Sequence, residues 1–371
     1  MSGASAGRGG NKRPSMFEVA RLAGVSHQTV SRVINNSPDV SDATRAKVEK
    51  AIAQLGYRRS NSARALASQR SRTVGLIACS IDYYGPISTL ASIETGVRHH
   101  DMFLSVVIVP EEEFIRQGFD SAARSLNEQD VDALVFIAPT DATLLAALRM
   151  ETVVPRVIIT STHGAITVEE AKALSGAKSP VVFLGMDQWT ATHEVVQMLY
   201  DLGHRDTLYL NGPSNWRDAT TRRLAWEHYC GKLGMATRAL DVDSWEAKDA
   251  YRVVTTLLDE KRSAGEALPT AIVAANDNQA AAAMRALHEH GLRIPQDVSV
   301  VGFDDIPSAD NLYPPLTTVH PRFRQVGVLA TECLLALLGE AEAPKFDRTE
   351  HGTGLVTAEL VRRDSVGLAS R

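Results

Sequence analysis

Residues 16–57, MFEVARLAGVSHQTVSRVINNSPDVSDATRAKVEKAIAQLGY, carry the pattern that decides the fold of the N-terminal part. In MFEVARLA (16–23), Phe17, Val19, Ala20 and Ala23 supply the apolar positions of a short helix. Gly24 follows, and glycine commonly ends a helix. Ser26 is placed to cap a second helix, HQTVSRVIN (27–35), whose buried side is Val30, Val33 and Ile34. Ser41 opens a third, with Val48, Ala51, Ile52 and Leu55 at helical spacing. Two short helices around a tight glycine-containing turn, backed by a third, predict a helix-turn-helix. In that motif the start of the second helix reaches base edges in the major groove. His27, Gln28 and, one turn on, Arg32 occupy those places. Glutamine pairs bidentately with adenine and arginine with guanine. Thr29 and Ser31 suit phosphate oxygens, and Asn35 at the helix end is set with them as a DNA contact.

The charge distribution agrees with a polyanion partner for this part alone. Residues 1–72 hold 13 Lys and Arg against 4 Asp and Glu, a charge of +9. The rest holds 26 against 40, a charge of −14, so the formal −5 of the 371-residue chain hides a basic head on an acidic body. The first 14 residues, rich in Gly and Ser with basic residues, read as a disordered tail rather than a secretory signal. No apolar run approaches the ~18 residues of a membrane span. Cys79, Cys230 and Cys333 stand far apart without metal-type spacing and read as buried thiols of a cytoplasmic protein.

Residues 58–72, RRSNSARALASQRSR, are too polar to fold alone and read as a link between head and body. The stretch SARALAS is expected either as a short helix with Leu66 on one face, such as minor-groove binders use to insert a leucine between base steps, or as a flexible tether. Up to this point the head resembles the LacI/GalR family of bacterial repressors. The resemblance implies that His27, Gln28 and Arg32 read bases. It also implies that residues 62–68 are a hinge helix ordered on operator DNA, with Leu66 as its wedge, and that the protein binds pseudo-palindromic operators as a homodimer.

From residue 73 onward, apolar strands such as TVGLIACS (73–80), VDALVFIA (131–138) and VSVVGFDD (298–305) alternate with amphipathic helices. That alternation predicts parallel sheets covered on both faces, in two α/β subdomains, with a second series beginning near residue 181. Ligands in such sheets bind at the carboxyl ends of strands, and two facing sheets make a hinged cleft. Ser80, Asn276 with Asp277, and Asp304 end strands and face such a cleft. The body resembles the same family, whose effector domain is similar to periplasmic sugar-binding proteins. It does so through YGP (84–86), LGHRDTLYLNGP (202–213) and PTAIVAANDNQAAAAMRALHEHGLRIPQDVSVVGFDDIPSADNLYPPLTTV (269–319). The resemblance carries effector contact onto Ser80, Arg222, Asn276 and Asp304, and places Trp245 where a galactoside-binding member has a tryptophan. Trp216 and Asp218 flank the same segment. Two positions depart from the family pattern, Pro321 and Thr220, and the region 338–371 lacks a leucine-heptad tail, so a dimer is expected rather than a tetramer. Asp304 also reads as a turn cap, Trp245 as a packing residue and His204 as a turn-ordering residue.

The expected organisation is a tail (1–14), a helix-turn-helix domain (15–60), a hinge helix and linker (61–72), and an effector-binding and dimerisation body (73–363). The subdomains of the body are expected at about 73–175 with 305–330 and 176–304 with 331–363. Neither a dinucleotide fingerprint, a P-loop nor a nucleophile elbow is present in the sequence. With no catalytic triad, metal cluster or cofactor motif, the reading is a DNA-binding regulator, not an enzyme, controlled by a small molecule, most simply a neutral sugar. A purine or sugar phosphate is the alternative effector, and a transport-type sugar-binding protein or a sugar-modifying enzyme the alternative class.

Overall fold

Serine hydroxyls start two of the three helices of the head. The computed structural model describes residues 14–34, 37–57, 70–79, 81–110, 124–126, 128–161, 168–347 and 352–370. Asn35, Leu66, Ser80 and the whole of the expected hinge helix, 62–68, lie outside them. The chain forms two units, Met1–Ser71 and Arg72–Arg371.

In the first unit, α1 (Met16–Ala23) begins with a capping box between Ser15 and Glu18, and Gly24 at φ 64 closes it. Ser26 Oγ accepts the Thr29 amide at 3.1 Å and so caps α2 (His27–Ile34). At α3 (Asp42–Leu55), Ser41 holds the cap position, but its hydroxyl pairs with that of Thr44 at 3.0 Å instead of a backbone amide. Val19, Ala20, Val30, Val33, Val48 and Ala51 form the core, and Arg45 binds the carbonyls of Val33 and Ser37 to pin the end of α2. Phe17 departs from expectation. It is 72% exposed and stacks on His27, 4.5 Å between ring centroids.

The second unit holds two six-stranded sheets. The first contains β1 (Thr73–Cys79), β2 (Phe103–Val109), β3 (Ala133–Ile137), β4 (Arg156–Ile159), β5 (Val181–Met186) and β11 (Gly354–Val356), in the order β11-β5-β4-β3-β1-β2 and all parallel. The second contains β6 (Asp206–Asn211), β7 (Ala236–Asp241), β8 (Ala271–Ala274), β9 (Ser299–Phe303), β10 (Thr317–Pro321) and β12 (Ala358–Val361), in the order β12-β10-β9-β8-β6-β7. Only β12 runs antiparallel, against β10.

Alternate residues of each central strand feed separate cores on the two faces. Val74, Leu76 and Ala78 pack under α4 (Tyr84–His99) and α11 (Phe323–Leu337), while Ile77 and Leu134 pack under α5 (Asp141–Arg149). Near α5 along the chain lies α6 (Val168–Ser175). In the second sheet, Leu208 and Leu210 face α9 (Ala247–Ala264) and α10 (Asp277–Glu289), and Tyr209 faces α7 (Gln188–Asp201) and α8 (Arg217–Lys232). Burial on both faces is what makes these strands near-continuous apolar runs. No described helix is long and apolar enough to cross a membrane.

Lobe boundaries differ from the sequence reading. The chain passes between sheets at 186–188, 321–323 and 356–358, not near 176, 305 and 331. β5 belongs to the first sheet because it pairs with β4, Val181 opposite Arg156. α11 also belongs there, since Ala330, Cys333 and Leu334 share a core with Val74 and Leu76. The body extends past residue 363, because Ser365 is fully buried and bonds Val300 O and the Thr317 amide. His204 has the structural role expected of it, contacting Thr270 Oγ1 at 2.9 Å and Gly367 O at 3.1 Å, while burial lowers its pKa.

Trp226 is fully buried and stacks on Tyr209, 5.2 Å between centroids. Trp226→Ala is expected to lower unfolding free energy by about 3–5 kcal/mol, as large core truncations do. A urea midpoint for the second unit within error of wild type would contradict this packing.

Candidate functional site

Two surfaces carry functional chemistry, one in each unit. In the head, His27, Gln28 and Arg32 are exposed on α2, while Thr29 and Ser31 are half-buried. Gln28 and Arg32 are four residues apart and therefore lie on one helical face. The Thr29 hydroxyl bonds that of Ser26 at 2.9 Å, so it also belongs to the cap. The Phe17 ring extends this surface from α1. The sequence places Phe17 among the apolar positions of α1, and apolar spacing cannot distinguish a buried ring from one stacked at the rim.

In the body, a cavity opens between the carboxyl ends of the two sheets. Six expected residues meet there: Trp216, Asp218, Arg222, Trp245, Asn276 and Asp304. Ser80 lies outside the described residues. The second lobe supplies most of the polar groups, and the first lobe supplies a largely apolar wall that includes Ile137, Ile159, Met186 and Phe323.

Arg222 is the centre of the polar wall. It projects from α8 and is 5% exposed. Its Nε donates to Gln188 Oε1 at 2.7 Å, and its Nη1 donates to Ala275 O. Its guanidinium lies 3.6 Å from the Phe303 ring centroid, and Nη2 stands 3.8 Å from Asp304 Oδ1. Gln188 in turn donates from Nε2 to Asp218 Oδ1 at 2.7 Å. Gln188 was not read from the sequence. It is a buried polar residue at the first turn of α7, directly after a crossing between the lobes, and only the assembled fold brings it to Arg222. The wall residues Tyr83, Tyr84 and Phe323 were also not singled out, apart from the YGP signature.

Asp304 follows β9 at φ 111, in a region that L side chains rarely adopt. Burial pushes its carboxyl up to about 8, with Arg222 acting in the opposite direction. Asn276 lines the cavity but commits both ends of its amide. Its Oδ1 accepts the Gln279 amide at 2.8 Å as the cap of α10, and its Nδ2 donates to Trp245 O at 3.1 Å. Neighbouring Asp277 ties Thr318 (2.6 Å) to the Ile306 amide (2.8 Å) and is structural. Burial raises its carboxyl to about 7.

The aromatic side of the cavity is a box. Tyr83 and Trp216 meet edge to face at 5.3 Å, and Trp216 and Trp245 at 5.5 Å. Gly212 is required beneath it, since a Cβ there would stand 2.5 Å from the Trp245 ring. Two buried polar atoms of the wall residues, Trp245 Nε1 and Thr160 Oγ1, have no hydrogen-bond partner among the described residues. Among those residues no cluster of His, Cys, Asp and Glu could hold a metal ion.

Comparison with known proteins followed both units. Residues 15–60 match the model for bacterial regulatory proteins of the lacI family, and residues 196–366 match a periplasmic binding protein-like domain. The chain is 31% identical over 363 residues to the lactose operon repressor of Escherichia coli, covering 95% of this chain and 90% of that one. It is 30% identical over 345 residues to the transcriptional repressor PurR of Vibrio campbellii, covering 88% and 93%. Among solved structures, it is similar to the lac repressor dimer bound to operator and the anti-inducer ONPF. The TM-score is 0.79 at 30% identity, over 96% of this chain and 100% of that one.

Asp304 and Asp277 set a pH dependence. Both carboxyls hold protons more tightly folded than unfolded, where an aspartate titrates near 3.9. The folded state therefore binds more protons from about pH 4 up to 7 or 8, and stability falls as pH rises through that window. Between pH 6.5 and 8 the thermal midpoint is expected to fall, by on the order of 1 kcal/mol in stability. Asp304→Asn should flatten the decline, and an equal slope in that variant would contradict the assignment.

Proposed function

Since the chain belongs to the lacI family of bacterial regulatory proteins, we propose that it is a transcriptional repressor whose hold on operator DNA is set by a neutral sugar in the body cavity. The observation that carries this reading is the coexistence in one chain of an exposed reading helix and an aromatic, hydrogen-bonding cavity.

In the head, Gln28 and Arg32 read bases, adenine and guanine being their bidentate partners, and His27 reads beside them. Thr29 and Ser31 hold phosphates, and Asn35 and the Leu66 wedge complete the DNA contact. Two heads of a homodimer read the two halves of a pseudo-palindrome. Such binding takes place in the cytoplasm, where the operator is.

In the body, Trp245 and Trp216 face the apolar C–H side of a sugar ring, and Asp218, Arg222 and Asp304 take its hydroxyls. One guanidinium with the acidic side chains Asp218 and Asp304 around it leaves no surplus positive charge for a phosphate-bearing effector. The polar groups are committed to one another, Arg222 to Gln188 and Gln188 to Asp218, which suits binding rather than catalysis. Effector and operator then alter each other's affinity by the same factor, about 5–150-fold for ordinary couplings.

The aromatic box supports a second reading, a purine effector stacked on the face of one of its rings. A thermal-shift screen of the full chain with neutral saccharides, purine bases and sugar phosphates separates these. The proposal expects saccharides alone to raise the midpoint, and a shift by purines alone would replace it. Arg32→Ala is expected to lose discrimination at one base pair of each half-site, about 1–3 kcal/mol, with the saccharide shift intact. Arg222→Ala is expected to lose the saccharide shift while operator footprints stay unchanged. Unchanged base discrimination in Arg32→Ala, or a normal saccharide shift in Arg222→Ala, would show that residue misassigned.

A further inference from the structure

The lobes are joined by covalent crossings at 186–188, 321–323 and 356–358, and they also touch at a second place. β10 borders a crossing, and β6 stands three strands away in the same sheet, about 14 Å at ~4.8 Å per strand. The loop after β6 leads into α8, and its first residue, Arg217, reaches across to the first lobe. The Arg217 amide donates to Pro139 O at 2.8 Å, and Trp216 makes an isolated bridge with Thr140. The guanidinium donates from Nε to Ser161 O at 2.7 Å and from Nη1 to Glu170 Oε1 at 2.8 Å, and it also pairs with Asp141. Ser161 and Thr221 hydroxyls meet beside it at 3.3 Å. The Arg217 side chain is 11% exposed and that of Glu170 4%, whereas that of Asp141 is 80% exposed.

We propose that Arg217 is a side-chain latch that holds the two lobes together without ligand and positions its chain neighbours Trp216 and Asp218 on the cavity wall. The latch does not rest on the identity of the effector. The guanidinium donates to three separate segments of the opposite lobe: the start of α5, the second residue after β4, and α6. Moving the lobes apart breaks all three at once and hydrates a buried ion pair. The Glu170 arm is shielded from salt, while the exposed Asp141 arm is not. Trp216 and Asp218 flank Arg217 in sequence, so whatever fixes Arg217 fixes the angle at which they enter the cavity.

Hydrogen exchange of the full chain, without added ligand, tests this. Arg217→Met keeps the length and apolar stem of the side chain and removes the charge. Exchange at residues 140–141 and 216–221 is expected to quicken roughly tenfold, with β1 and β8 unchanged, as loss of a charge-assisted contact at one local opening implies. The charge swap Arg217→Glu with Glu170→Arg rebuilds only the buried ion pair, since a carboxylate at 217 neither donates to Ser161 O nor pairs with Asp141, and is expected to restore part of the protection. Unchanged exchange at 140–141 and 216–221 would overturn the proposal. So would faster exchange spread equally over β1 and β8, which marks a folding defect, or a swap that restores nothing.

Discussion

A buried arginine must find its compensation within the protein, and in the second lobe that requirement organises the cavity wall. Arg222 gives hydrogen bonds to Gln188 and the Ala275 carbonyl and lays its flat face on Phe303. Gln188 opens α7 just after a crossing between lobes, Ala275 follows β8, and Phe303 ends β9. One guanidinium therefore ties three elements at the carboxyl ends of the second sheet. Because desolvation makes a lost partner expensive, the wall is rigid before any ligand arrives. Asp304, held at an unusual φ with a raised pKa, completes the wall at the cost of local strain. Strain of this kind persists only where the surrounding structure over-determines it.

Much of this was legible in the sequence. The head was, because serine caps, Gly24 and apolar spacing all signal the same short helices. Phe17 was the exception, since only the folded head shows it stacked on His27. Strands β1, β3, β5, β6, β8 and β9 were legible because burial on both faces writes them as apolar runs. Lobe membership was not, because every such run looks alike and only pairing register separates β5 from the second sheet. The edge strand β7, Ala236–Asp241, has too few apolar residues to stand out, and edge strands are blunted in this way. β12 is a short piece whose identity depends on its partner β10.

The cavity divides on the same principle. Residues at strand ends or in the family's signature were found: Trp216, Asp218, Arg222, Trp245, Asn276 and Asp304 do meet. What the sequence could not say is how each is spent. The Asn276 amide is used up as a helix cap and as a support for Trp245. Gln188 and Tyr83 bear on the cavity only because distant segments converge. Arg217 looks like an ordinary basic residue until Glu170 and Ser161, about fifty residues earlier, come to surround it.

The most direct measurement is a selection of duplexes from a random DNA library by the full chain at moderate salt, with and without a stabilising saccharide. The account predicts enrichment of one pseudo-palindrome with two half-sites, and an enrichment that changes when the saccharide is present. Recovery of random duplexes under both conditions would contradict it.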